Sequence, residues 1–201
     1  FARYKVDAVA ARLKALGLPR PRRVLDFGCG IGNSPPHLRA AFPDAAIVGL
    51  VVSEKSLAVA RQRFPGVADF QQYPGGADMP VEPGFDLVFS ACVFHHIEPA
   101  EHVALFAGLK RLMAPGAALT VFEHNPWNPV SRYIVATCPF NADAQLIAAP
   151  EFARRQRAAG FGKVDVAYTG FFPGPLKALR PLERAITCLP LAAQYYTLAK
   201  P

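Results

Sequence analysis

Residues 24–33, "VLDFGCGIGN", place three glycines at alternate positions between an apolar run and a helix-start signal. Gly28, Gly30 and Gly32 lack the side chains that would keep a backbone from turning tightly and closing on a ligand. They also cost conformational entropy that an empty turn has no reason to bear. A dinucleotide fingerprint would need a glycine where Asn33 stands, and Asp26 would set like charge against a pyrophosphate. A ligand bearing an amino acid's ammonium would instead welcome that carboxylate. A second group lies further on, with His95 and His96 after one predicted strand and Glu123, His124 and Asn125 after another. Imidazole has the ordinary pKa to accept a proton near neutrality, so His95 or His96 is the candidate general base. Adjacent side chains diverge, and the competing reading, in which one imidazole only packs or caps the next helix, carries equal weight.

These residues need elements to hold them. Apolar spacing predicts a helix over Val6 to Leu16 that stops at Gly17, then a strand over Arg23 to Phe27. Asn33-Ser34-Pro35-Pro36 reads as a capped helix start running to about Phe42. The alternation repeats as strand Ala46–Val52, helix Ser53–Phe64, strand Phe85–Ala91, helix Ala100–Met113 and strand Ala118–Phe122. Strands separated by helices imply right-handed crossovers and a mostly parallel sheet covered on both faces. Beyond Phe122 the rhythm changes to a Pro/Asn-rich stretch, a helix near Glu151–Ala159, a strand near Lys163–Thr169 and a last strand, Gln194–Ala199, suited to an antiparallel edge. In such sheets ligands bind beyond the carboxyl ends of the strands, after Phe27, Val52, Ala91 and Phe122.

The Asp-x-Gly-x-Gly-x-Gly loop resembles the first motif of class I, Rossmann-like methyltransferases that use S-adenosylmethionine. "GLVVSEKSLAVA", "FDLVFSACVFHHI" and "LKRLMAPGAALTVFEHN" resemble the family's second-strand end, fourth strand and helix-turn-fifth strand, in family order over roughly residues 20–125. The resemblance implies an α/β, doubly wound, mostly parallel seven-stranded sheet with an antiparallel last strand. Residues 20–125 would form the cofactor core of a single domain, and 126–201 a lid insertion and the C-terminal sheet edge. It implies a cofactor site built from Asp26, Gly28, Gly30, Gly32, Val51, Val52, Asp78, Met79, Ala91 and Cys92, with His95 and His96 near the chemistry. Two departures stand out. Val51 occupies the place where the family usually has an acid for the ribose hydroxyls, and Gly75 and Gly76 precede Asp78 where an acid often reaches the adenine amine. Weakened cofactor binding is therefore expected; Glu54 is read as a solvated side chain favoured by the helix dipole, with a fold-back onto the ribose as the rival reading.

Composition narrows the rest. The chain has 201 residues, 52% hydrophobic and 18% charged, which suits one globular domain. Its four cysteines are far apart with no Cys-x-x-Cys pair, against a metal knuckle or disulfide framework; Cys29 and Cys92 read as small packing residues. The absence of a membrane-length apolar run or leader pattern points to a cytoplasmic protein. A start at Phe1 leads us to expect further residues ahead of it. The formal charge of +7 is scattered, favouring an acidic small molecule or anionic surface over nucleic acid.

Two late segments complete the reading. "EHNPWNPVSRYIVATCPFN" is expected as an extended acceptor lid with Trp127, Arg132 and Tyr133, or as an ordered insertion; its E-H-N-P and C-P-F elements resemble those of a bacterial methyltransferase subgroup. Residues 171–196 space Lys177, Arg180 and Arg184 among Leu176, Leu179, Leu182 and Ile186, an amphipathic helix packed across the sheet edge or resting peripherally on a membrane. The expected function is methyl transfer to a small-molecule or lipid/glycan-linked acceptor. The alternative is a catalytically silent scaffold with the same fold, and a nicotinamide oxidoreductase is disfavoured.

Overall fold

The computed structural model describes residues 1–141, 143–172 and 174–201; the side chains of Phe140, Pro175, Lys177 and Arg184 lie outside the described residues. In chain order the elements are α1 (Ala2–Ala15), β1 (Arg23–Phe27), α2 (Pro35–Ala41), β2 (Ala46–Val51), α3 (Glu54–Arg63), β3 (Asp69–Gln72) and β4 (Phe85–Ala91). They continue with α4 (His102–Arg111), β5 (Met113–His124), α5 (Pro129–Thr137), α6 (Ala149–Ala158), β6 (Lys163–Thr169) and β7 (Gln194–Lys200). One seven-stranded sheet runs β3-β2-β1-β4-β5-β7-β6. The β1 to β5 pairings are parallel, and β7 runs antiparallel to both β5 and β6.

The central strands are apolar on both faces, as a doubly covered parallel sheet requires. Leu25, Phe27, Val88, Leu119 and Val121 face a core shared with Phe106 of α4 and Phe152 of α6. Val24, Leu87, Phe89 and Phe122 face the other layer, where Val6, Val9 and Leu13 of α1 meet Leu38 of α2. Because β1 turns between β2 and β4, the order reverses at the Gly28 loop, which places that loop at the sheet's switch point.

Several expectations change. The helix-start cap at Asn33-Ser34 is absent: Ser34 precedes α2 with helical dihedrals and no side-chain cap, while Asn33 Oδ1 accepts from Arg63 Nη1 at 3.1 Å. Strand β3 was not foreseen, because only Phe70 of its four residues is buried and the alternation is too short to register. The lid stretch is a helix, not an extended loop. Asn128 is its extended N-cap, accepting from Ser131 N at 2.8 Å, and Pro129 takes the first helical place. Residues 174–185 form 3₁₀ turns with Pro181 inside and a break at Leu176. Leu176, Leu179 and Leu182 are exposed, so these leucines do not pack on the sheet; among the described side chains of the segment, Glu183 is the buried one.

Candidate active site

The glycine loop divides its labour. Gly28 and Cys29 both donate to Leu50 O at 2.9 Å, tying the loop to the end of β2. A side chain on Gly28 would collide with Val93, and one on Gly32 would meet Phe64 at 3.0 Å. Gly30, at φ +52°, has open space where its side chain would stand. Gly28 and Gly32 are therefore demanded by packing, whereas Gly30 borders open space.

Asp26 lies beneath this loop at 2% exposure, and its Oδ2 has no hydrogen-bond partner. Burial alone raises its carboxyl to about 7, with no cation facing it among the described residues. A buried carboxyl without a partner is costly unless a ligand completes it. An ammonium is the group that does so, which is the fit expected of a cofactor carrying an amino acid.

Val51 is buried with Cys29, Leu57, Ala60 and Phe70, so an apolar patch borders the loop where an acid would receive ribose hydroxyls. Cys29 packs as expected, and burial pushes its thiol up. Val52 is exposed, its carbonyl accepting from Gln72 Nε2 at 3.1 Å. Glu54 begins α3, exposed and without a hydrogen bond among the described residues; Ser53 supplies the cap. Met79 packs against the main core. Asp78 points fully into solvent and pairs with Arg111 at 2.9 Å, away from the loop's burial.

The end of β4 carries a different chemistry. Ala91 packs against the α1 layer, and Cys92 takes φ +59°, an uncommon conformation for a residue with a side chain. Contrary to its reading as a packing residue, Cys92 is a polar junction: Lys5 Nζ reaches its Sγ at 3.0 Å and Gln194 Nε2 at 3.2 Å. Beyond it His95 is buried, its Nδ1–H donating to Glu123 Oε2 at 2.6 Å. Glu123 Oε1 accepts from Val93 N at 3.0 Å and Phe94 N at 2.8 Å. Burial presses the Glu123 carboxyl upward, but the His95 hydrogen bond and charge, the Phe94 N–H and nearby His124 outweigh it and hold it below the ordinary range. His96 meets Asp143 Oδ1 at 3.0 Å, yet its ring centroid lies 4.1 Å from that of His95, so the two imidazoles are in contact, contrary to the expectation that adjacent side chains diverge.

The carboxyl end of β5 then joins the edge together. His124 lies 5.1 Å from His95 between ring centroids; burial lowers its pKa, Glu123 opposes that and the Lys5 charge adds to it. Asn125 donates to Pro190 O at 3.0 Å and Ala192 O at 2.8 Å, clamping the approach to β7. Trp127 stacks loosely on Tyr168 and stays half exposed. Lys5 and Gln194 went unread in the sequence, Asn125 drew notice without a role, and Glu123 was seen only as part of a cluster. Lys5 left one signal: it shares a helical stripe with Val9 and Leu13, a lysine on an apolar face.

Fold and loop define a doubly wound α/β protein whose switch point suits a nucleoside bearing an amino acid. A methyltransferase-domain family model matches residues 24–116. Trans-aconitate 2-methyltransferase of Methylobacterium nodulans is 38% identical over 173 residues, covering 84% of this chain and 64% of that relative. The chain thus spans less than two thirds of the length of such relatives. An S-adenosylmethionine-dependent methyltransferase from Archaeoglobus fulgidus superposes with a TM-score of 0.67 at 17% identity, over 98% of this chain and 94% of the other. Haemonchus contortus phosphoethanolamine N-methyltransferase 2 with S-adenosylmethionine gives 0.67 at 19% identity, over 97% and 52%. Residues 24–116 thus match a methyltransferase domain, and the matches together support a class I, Rossmann-like S-adenosylmethionine-dependent methyltransferase. Among the described residues no helix is long and apolar enough to cross a membrane.

Proposed function

We propose that this chain transfers a methyl group from S-adenosylmethionine to a carboxylate oxygen of a small polycarboxylic acid, giving a methyl ester. One observation carries the reading: the partnerless Asp26 carboxylate and a cluster of Lys5, His95 and His124 without a free acid stand at the same edge of the sheet. The relative named for trans-aconitate supports the acid as acceptor.

When bound, the cofactor would supply an electrophilic methyl carbon, open to in-line attack by an acceptor lone pair with a neutral thioether as the leaving group. Asp26 would hold the ammonium, Gly30 would leave the loop open to the ligand, and Val51 and Met79 would offer apolar surface. Asp78, exposed and tied to Arg111, is left out of that set. A carboxylate is already anionic at neutral pH, so the protein's task is alignment and exclusion of water. His95, fixed by Glu123 with Nε2 free of hydrogen bonds among the described residues, would orient the acceptor. His96, paired with Asp143, would take no part.

Methyl transfer to trans-aconitate and related acids, followed by mass spectrometry across pH 5 to 9, tests this. Ester formation with a rate nearly flat above about pH 6 is expected, because carboxylates ionise near pH 4. Methylation of a hydroxyl instead, rising with an imidazole-like pKa and lost in His95→Ala, would replace alignment by general-base catalysis. Binding of the cofactor without turnover of any acceptor would favour a silent scaffold.

A further inference from the structure

At the carboxyl edge of the sheet, Lys5 is a lysine with too few partners. It is 6% exposed, and its ammonium is held by the Cys92 thiol at 3.0 Å and lies 5.7 Å from the Phe122 ring centroid. Sulfur is a weak acceptor, yet Gln194 Nε2 also points at it from 3.2 Å. Two donors therefore converge on a group that satisfies neither well, and Lys5 forms no ion pair among the described residues.

The surrounding acids are already engaged. Glu123 accepts from His95, Val93 and Phe94; Glu183 accepts from Tyr4, Gly170 and Phe172. Asp165 pairs with Arg12 and Asp7 with Arg3. A buried ammonium facing only soft or neutral groups calls for an anion from outside. Its position is fixed by the fold: Tyr4 OH bonds Thr169 Oγ1 at 2.6 Å, pinning the first turn of α1 to the end of β6. Gln194 opposite His124 opens β7 at the same edge.

We propose that Lys5, with Gln194 beside it, is the anchor for a second carboxylate of the acceptor, a carboxylate that is bound but not methylated. The proposal rests on the methyl-transfer reading and extends it to a class of substrate: acids with at least two carboxylates, one presented for reaction and one seated on Lys5. The cofactor's own carboxylate is the rival source of the same chemistry. It shares a carbon with the ammonium assigned to Asp26, and among the described residues no cation faces Asp26. The acceptor is therefore the better occupant.

The test is calorimetry with the native chain, Lys5→Met and Lys5→Arg, each titrated with S-adenosylhomocysteine alone and then, when saturated, with trans-aconitate and a monocarboxylate analogue. Lys5→Met should weaken trans-aconitate binding by about tenfold or more, leave S-adenosylhomocysteine affinity within about twofold, and erase the preference over the monocarboxylate; Lys5→Arg should recover part of it. A loss confined to S-adenosylhomocysteine would assign Lys5 to the cofactor and overturn the proposal. Unchanged acid binding in Lys5→Met, or no acid binding by the native chain, would overturn it as well. Loss of acid binding in Lys5→Met, in a native chain that binds acids but never methylates them, would uphold the anchor and refute the methyl-transfer reading.

Discussion

The two halves of the candidate site bury an acid and a base, each with no ion-pair partner among the described residues. Among the described residues, Asp26 under the glycine loop is a carboxyl with no cation beside it, and Lys5 at the ends of β4, β5 and β7 is an ammonium with no free acid beside it. Had they been neighbours they would have neutralised each other and left no use for a ligand. Kept apart, each stores an unmet interaction that a molecule of opposite charge completes. The first half also rests on backbone, the second on side chains borrowed from four elements.

That difference can be broken experimentally, beginning at the loop. Gly30→Val should lower S-adenosylhomocysteine affinity by more than about 100-fold, since the branched side chain fills open space at a φ of +52°. The variant must remain folded by circular dichroism, and unchanged affinity would move the cofactor elsewhere. Glu123→Ala strikes the second half. It strands two backbone N–H groups and the His95 ring, and should cost about 3–5 kcal/mol in chemical denaturation, with turnover falling alongside. A loss under 1 kcal/mol would mean that the clamp is not needed.

Val51→Asp sharpens the cofactor side. It should tighten S-adenosylmethionine binding by about tenfold by supplying the missing hydroxyl acceptor, while destabilising the apolar patch by about 1–3 kcal/mol. Glu54→Ala should change affinity by less than about twofold, because Glu54 is solvated at the start of α3. Tight native binding lost in Glu54→Ala would make Glu54 the ribose ligand.

The same contrast explains what the chain made legible. Asp26, Gly28, Gly30 and Gly32 lie within seven residues, so one turn holds their chemistry and pattern alone reveals it. Strands β1, β4 and β6 were read to the residue because hydrophobic runs and glycine or proline boundaries coincide there. The second half joins residues 5, 92, 95, 123, 124 and 194, whose proximity exists only once α1 lies on the sheet and β7 runs back beside β5. Glu123 illustrates the limit: beside two histidines it suggests catalysis, whereas its partners make it a clamp that aims one of them. Residues 174–185 show the opposite error. Leucine and basic residues at helical spacing suggested an α-helix, but Pro181 removes a backbone donor, and the segment settles into 3₁₀ turns.

Asp26 provides the most direct test, and its sign can be worked out. Burial raises its pKa in the folded chain from 3.8 to about 7, so the fold prefers the protonated form. The associated stability is present in full below about pH 4 and is lost as pH rises through 7, on the order of 2–4 kcal/mol. A cofactor ammonium favours the ionised form and pulls that pKa back down, so binding near pH 7 must expel a proton. Isothermal titration of S-adenosylhomocysteine at pH 6.5, in two buffers of different ionisation enthalpy, measures that proton. The native chain should release about half a proton or more per ligand, with affinity rising toward pH 8. Asp26→Asn should release none, bind about tenfold more weakly and resist denaturant better at pH 8. Binding without proton release in the native chain, or full affinity in Asp26→Asn, would contradict the assignment of this buried carboxylate to the cofactor.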